Sequence, residues 1–226
     1  MQAVILAAGK GKRMGKLTAT TSKPMLKLKG KPILEYKINA LPKKIKEIIF
    51  IVGYHSMHII SHFKNYYNGR RIIYVFQSDL NGTGGALHLA RSVIKDKFLV
   101  IMGDDLYHKK DLEDLIKYDL AIMGHAVADP SLFGMIKDDG HGCMLEVIEK
   151  PKKSRHKLAN VGVYVLDKRF FDYELVSIGG GEFGLPQTMA NMAKNHKIKI
   201  HAARAWQPIG KPEDLKKAEE VLDRFI

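Results

Sequence analysis

The chain has 226 residues, 46% of them hydrophobic, with 20 Gly, 8 Pro and a single Cys. That length suits one large domain with a real core, and such Gly and Pro content excludes a fibrous or disordered chain. The formal charge of +13 comes from 37 Lys and Arg against 24 Asp and Glu; the excess is mostly Lys spread along the chain, and no nucleic-acid-binding motif accompanies it, so nucleic acid is not the expected partner. Cys143 stands alone, which excludes an intrachain disulfide and a Cys-based zinc site. No apolar run approaches the ~20 residues that span a bilayer, so no membrane partner is expected. MQAVILAAG lacks a basic stretch before its apolar residues and reads as a buried strand rather than a signal peptide. A cytoplasmic address follows.

In chain order, AVILAA (3–8), EIIFIV (47–52), RIIYVF (71–76) and FLVIM (98–102) are near-continuous apolar runs. Such runs predict strands covered on both faces. Helices are expected between them, at about 32–41, 55–66 and 83–94. Another near 109–117 leads into a strand over 119–127. Past that point 133–137, 144–150 and 161–166 read as antiparallel strands joined by polar loops. Helices near 184–195 and 212–225 flank a last strand over 197–203. Alternation of strand and helix predicts an α/β chain: a Rossmann-like, doubly wound, mostly parallel sheet with a small β-rich lobe inserted late. One domain over 1–226 is expected, divided at about residue 127 between a nucleotide-binding part and a substrate lobe with the C-terminal helix.

The first strand runs directly into Gly9-Lys10-Gly11-Lys12-Arg13-Met14-Gly15. Glycines after a strand permit a tight turn and let backbone N–H groups approach phosphate oxygens. The spacing fits neither known phosphate fingerprint. A dinucleotide motif needs glycine where Met14 stands, and a Walker loop needs Gly-Lys-Ser/Thr. From Met1 to Leu34 there is no carboxylate, whereas eight Lys and Arg fall in that stretch. Pro24 follows Lys23 and restricts the backbone of both residues.

LAAGKGKRMG…TSKPMLKLKGKPILEY resembles the opening signature of the sugar-phosphate nucleotidyltransferases, the nucleotide-sugar pyrophosphorylases. The resemblance continues in family order through Gly82–Ala86, Gly103-Asp104-Asp105, Glu149-Lys150-Pro151, Asn160–Tyr164 and Trp206…Ile209–Leu215. It covers the catalytic domain and includes no left-handed β-helix. It implies an enzyme that joins a nucleoside triphosphate to a sugar 1-phosphate and releases pyrophosphate.

On that resemblance Ala8, Gly9 and Gly11 line the nucleotide pocket, and Arg13 and Lys23 bind the triphosphate and its developing charge. Gln77 lies five residues before Gly82, as in relatives that use UTP or dTTP, and Gly82 with Thr83 closes over the same base. Asp104 matches the family's Mg²⁺ ligand, while Asp105 is expected to cap the following turn. Glu149, Lys150, Asn160 and Glu182 match sugar and sugar-phosphate contacts. Bland readings suit the rest: His55, His58 and His62 form a solvated face, and the basic run 150–157 is, beyond Lys150, a solvent loop. One departure stands out. Relatives usually carry a second Mg²⁺-binding aspartate where this chain has Pro208. Two other readings stay open, a GTP- or CTP-using relative, against which Gln77 argues, and a nucleotide-binding protein without turnover. The family also implies a homodimer.

Overall fold

The first apolar run becomes β1 (Gln2–Ala7), and its alternating side chains supply two cores. Ala3, Ile5 and Ala7 pack with Leu34, Ile38, Ile59 and Phe63 on one face. Val4 and Ala8 pack with Ala86, Leu87, Leu185 and Met189 on the other. The computed structural model describes residues 1–225. The remaining strands of the main sheet are β2 (Glu47–Val52), β3 (Tyr66–Tyr67), β4 (Arg70–Phe76), β5 (Phe98–Met102) and β6 (Ala121–Ala126), then β7 (Gly134–Asp138), β8 (Met144–Glu149), β9 (Leu158–Leu166) and β10 (Lys199–Ala202). Helices α1 (Ile33–Ala40), α2 (Ser56–Phe63), α3 (Gly82–His88), α4 (Lys109–Leu115) and α5 (Leu185–Ala193) cover it, while α6 (Pro212–Glu220) packs in a separate cluster with Met14, Leu28 and Ile209.

Strand order is β8-β7-β9-β5-β1-β2-β4-β3, with β6 paired to β9 and β10 paired to β6. Strands β5, β1, β2 and β4 run parallel. Every residue of β2 is buried, as a strand covered on both faces requires. The result is a doubly wound α/β fold with a mostly parallel centre. Strand β9 joins it antiparallel, placing Val163–Leu166 against β5 and pairing with β6 at Leu158–Asn160 and again at Tyr164–Val165.

Several elements differ in extent from the sequence expectation. The helix expected over 55–66 stops at Phe63, because Lys64 takes φ 53° and the chain turns into a hairpin. Asn68 and Gly69, at φ 47° and 76°, form its two-residue turn between β3 and β4. Both positive φ values suit the right-handed strand twist, and Asn-Gly is the pair that tolerates them. The helix expected over 83–94 stops at His88 and continues as turns over 89–93, where Ala90 N donates to Leu87 O and Val93 N to Ala90 O, each at 3.0 Å. The C-terminal helix ends at Glu220, followed by one tightened turn at Leu222–Arg224. The strand read over 161–166 begins earlier, at Leu158, and carries a bulge between Asn160 and Tyr164. Among the described residues, no helix is long and apolar enough to cross a membrane.

Candidate active site

Because β1, β4 and β5 are parallel, their carboxyl ends lie on one edge, where open α/β sheets place ligands. Three loops leave that edge: 8–13 after β1, 77–83 after β4, and 103–105 after β5. Between them lies a cleft of about 700 Å³. Ala8, Gly9, Gly11, Arg13 and Lys23 line it on one side. Gln77, Gly82, Thr83, Asp104 and Glu182 line it as well.

The glycine-rich loop has a steric reason for its sequence. Gly11 takes φ 63°, and a Cβ there would meet Lys23 Cβ at 3.0 Å and Thr18 Cγ2 at 3.1 Å. Thr18 Oγ1 donates to the Gly11 carbonyl at 3.1 Å, which folds the loop back on the segment carrying Lys23. Lys23 is buried, 6% exposed, and its Nζ donates to Asp104 Oδ2 at 2.6 Å. The expected phosphate-binding cation and the expected metal-binding carboxylate therefore meet, although 81 residues separate them in sequence. Gly11→Ala should cost roughly 1–2 kcal/mol, the strain of a left-handed residue. A melting temperature and a triphosphate affinity both unchanged in that variant would remove the steric account of the loop.

On the opposite wall, Gln77 is buried and its amide is already engaged. Nε2 donates to Asn81 Oδ1 at 3.0 Å and to the Gly82 carbonyl at 3.4 Å, leaving Oε1 as the free acceptor. Gly82, at φ 87°, touches the backbone of Phe183 closely enough that no Cβ fits. Phe183 N donates to the Asn81 carbonyl at 2.8 Å, and Leu185 N donates to Thr83 Oγ1 at 3.1 Å. The hairpin that carries Glu182 is thus fastened to the loop that carries Gln77.

Three expected sugar contacts, Glu149, Lys150 and Asn160, lie outside the lining of this cleft. Glu149 and Lys150 are exposed, with Nζ 3.7 Å from Oε1. Asn160 sits at the β9 bulge, where it accepts from Gly162 N at 3.0 Å and donates to Tyr164 Oη at 2.8 Å. Gly162 abuts the side chain of Met102, which does line the cleft. Of the three histidines, His55 and His58 bond Ala19 O and Thr21 Oγ1, each at 3.0 Å, and His62 lies 3.3 Å from Glu35.

Asp105 does not cap the turn that follows it. Its Oδ2 accepts from Trp206 Nε1 and its Oδ1 from Ile209 N, both at 3.0 Å. Desolvation pushes its carboxyl up to about 6, reinforced by the neighbouring Asp104 and opposed by Ile209 N–H and Lys37. Behind it lies Lys37, 2% exposed, whose Nζ donates to the Asp105 carbonyl and sits 4.4 Å from the Tyr107 ring centroid. Burial pulls this ammonium down to about 8, and the two aspartates oppose that shift. The sequence reading passed over Lys37. Its signal was present: it lies four residues after Ile33 and four before Leu41, within the buried stripe of α1.

A doubly wound sheet with a glycine-rich basic loop at its carboxyl edge defines a nucleotide-binding α/β protein. More particularly, the chain belongs to the nucleotidyl transferase family, whose sequence model matches residues 2–224. It is 35% identical over 225 residues to the bifunctional protein GlmU of Methanocaldococcus jannaschii, covering 98% of this chain and 54% of that protein. The chain therefore spans about half the length of that curated relative. It is 30% identical to the UTP–glucose-1-phosphate uridylyltransferase AglF of Haloferax volcanii, covering 98% of this chain and 96% of that one. Among solved structures, a putative glucose-1-phosphate thymidylyltransferase from Bacillus anthracis matches with TM-score 0.87 and 25% identity, over 100% of this chain and 96% of the other.

Proposed function

We propose that the chain joins a nucleoside triphosphate, UTP or dTTP, to a sugar 1-phosphate, giving a nucleotide sugar and pyrophosphate. The observation that carries this reading is the Lys23–Asp104 pair, 2.6 Å apart, between the glycine-rich basic loop and the Gln77 loop. Transfer of a nucleotidyl group needs positioning and charge neutralisation more than covalent help. A sugar-phosphate oxygen attacks the α-phosphorus in line, the bond to the bridging oxygen breaks, and pyrophosphate leaves with that electron pair. Arg13 and Lys23 neutralise the charge that develops, while backbone groups of Ala8, Gly9 and Gly11 hold the nucleotide. Glu182 lines the same cleft, while Glu149, Lys150 and Asn160 lie outside its lining and are assigned to the sugar phosphate by the family resemblance alone.

Asp104 would hold Mg²⁺, which supplies charge to the phosphates when bound. Its carboxylate is 34% exposed and offers the hard oxygen this ion prefers. Pro208 has no side-chain oxygen, so the second ligand usual in relatives is missing. One carboxylate beside phosphates and water is enough for Mg²⁺. The ion then arrives mainly with the triphosphate.

Gln77 supports the choice of base. With its N–H₂ donating to Asn81 and Gly82, its free oxygen accepts from the N3–H of uracil or thymine. Cytosine N3 carries no hydrogen and is disfavoured. Gln77→Ala should narrow the preference for UTP or dTTP over CTP by about tenfold, the worth of one such contact. The deciding measurement is pyrophosphate release with four triphosphates and a set of sugar 1-phosphates. Better use of GTP or ATP by the wild type would remove the role given to Gln77. Nucleotide binding without turnover of any pair would make the chain a silent binder.

A further inference from the structure

A buried ammonium on an apolar helix face is costly, and one that is kept needs partners. Lys37 has two: the Asp105 main-chain carbonyl and the Tyr107 ring face. Both belong to the segment just after β5, so Lys37 fixes the backbone of the turn that presents Asp104. The Asp105 side chain then reaches across 101 and 104 residues of sequence to Trp206 Nε1 and Ile209 N. The segment it grips continues into Gly210, whose N–H donates to Asp214 Oδ2 at 2.8 Å. Gly210 in turn lies against the Arg13 guanidinium, with Nη1 3.7 Å from where a Cβ would stand. Asp104, adjacent in sequence to Asp105, and Arg13, lying against Gly210, thus share one support.

We propose that Asp105, backed by Lys37, is a positioning residue for nucleotidyl transfer. It clasps Trp206–Ile209 to the turn carrying Asp104, and so sets the spacing between that carboxylate and Arg13. This rests on the reading of the cleft given above. Small misplacements at a phosphoryl centre cost rate rather than binding. The clasp has a built-in reporter, since Trp206 is the only tryptophan in the chain. Its ring also meets Phe133 edge-on at 5.3 Å, so loosening it changes its surroundings.

The test compares Asp105→Asn and Lys37→Met in the full chain with a control at the opposite end of the sheet. That control is Glu47→Gln, which disturbs a carboxylate bonded to Gln2 at 2.5 Å and Lys95 at 3.0 Å. Asp105→Asn keeps one acceptor for two donors, and Lys37→Met keeps the apolar stem, so each preserves most of the packing. In both clasp variants Trp206 emission should move to the red and be quenched more by acrylamide. Their kcat should fall about 10–100-fold, while KM for the sugar 1-phosphate stays within about twofold. The control should lower the melting temperature without either change. Unaltered Trp206 quenching, or a kcat loss no greater than that of the control, overturns the proposal. If the wild type turns over no substrate pair, the nucleotidyl-transfer reading falls instead. Unaltered quenching in Asp105→Asn would still overturn the clasp.

Discussion

Asp104→Asn should lower turnover by about a thousandfold or more, roughly the 4 kcal/mol that a metal ligand at a phosphoryl centre supplies. The substitution is nearly isosteric and its side chain is 34% exposed, so the fold should survive it. The ion pair with Lys23, whose side chain is 8% exposed, becomes a neutral hydrogen bond to the Asn Oδ1, which limits the loss of stability. Two controls separate the metal role from simple damage. Wild-type activity in EDTA should fall to the level of the variant, and the variant should no longer respond to EDTA. Metal-free triphosphate binding should hold or tighten, because a negative charge has left the phosphate side of the cleft. Turnover that survives both EDTA and the substitution would refute the metal assignment.

Lys23→Ala should cost on the order of 2–4 kcal/mol in the rate, about 10²–10³-fold. Lys23 differs from the other cations of the segment in being 6% exposed and held by Pro24 and by the packing of Gly11. A cation fixed in that way needs no reorganisation when charge develops, which is why it is worth more than a mobile surface lysine. Its removal also leaves Asp104 unpaired against the phosphates, so triphosphate binding without metal should weaken. That is the opposite of the Asp104→Asn result. The double variant should lose less than the sum of the two single losses, because both groups act on one phosphate cluster. Near-normal turnover in Lys23→Ala would refute its role.

The elements legible in the sequence were those whose apolar pattern matches their burial. EIIFIV (47–52) is a strand with all six residues buried, and its run of β-branched residues says so directly. The Asn68-Gly69 turn is equally legible as an Asn-Gly pair; the short strand it requires before it, Tyr66–Tyr67, occupies the end of the helical pattern read to residue 66. The cleft was legible wherever a motif sits at a strand's carboxyl end, as Gly11, Gln77 and Asp104 do. The clasp was not. Asp105, Lys37 and Trp206 come from three distant segments, and each looks ordinary alone: a second carboxylate, a helical lysine, a loop tryptophan. Only the topology that brings β5, α1 and the 206–209 segment together gives them meaning.

The pairing of β9 with β5 has a consequence for how the chain is made. Phe98–Ile101 of β5 finds its outer partner only in Val163–Leu166, some sixty residues later. At roughly 5–20 residues per second of synthesis, that flank of the parallel sheet stays open for several seconds after β5 has emerged. Its exposed row of N–H and C=O groups belongs to an apolar strand, the kind of edge on which neighbouring nascent chains pair. The first half of the chain therefore cannot close its sheet on its own. Its last hydrogen-bonded seam waits for a strand from the half that follows it.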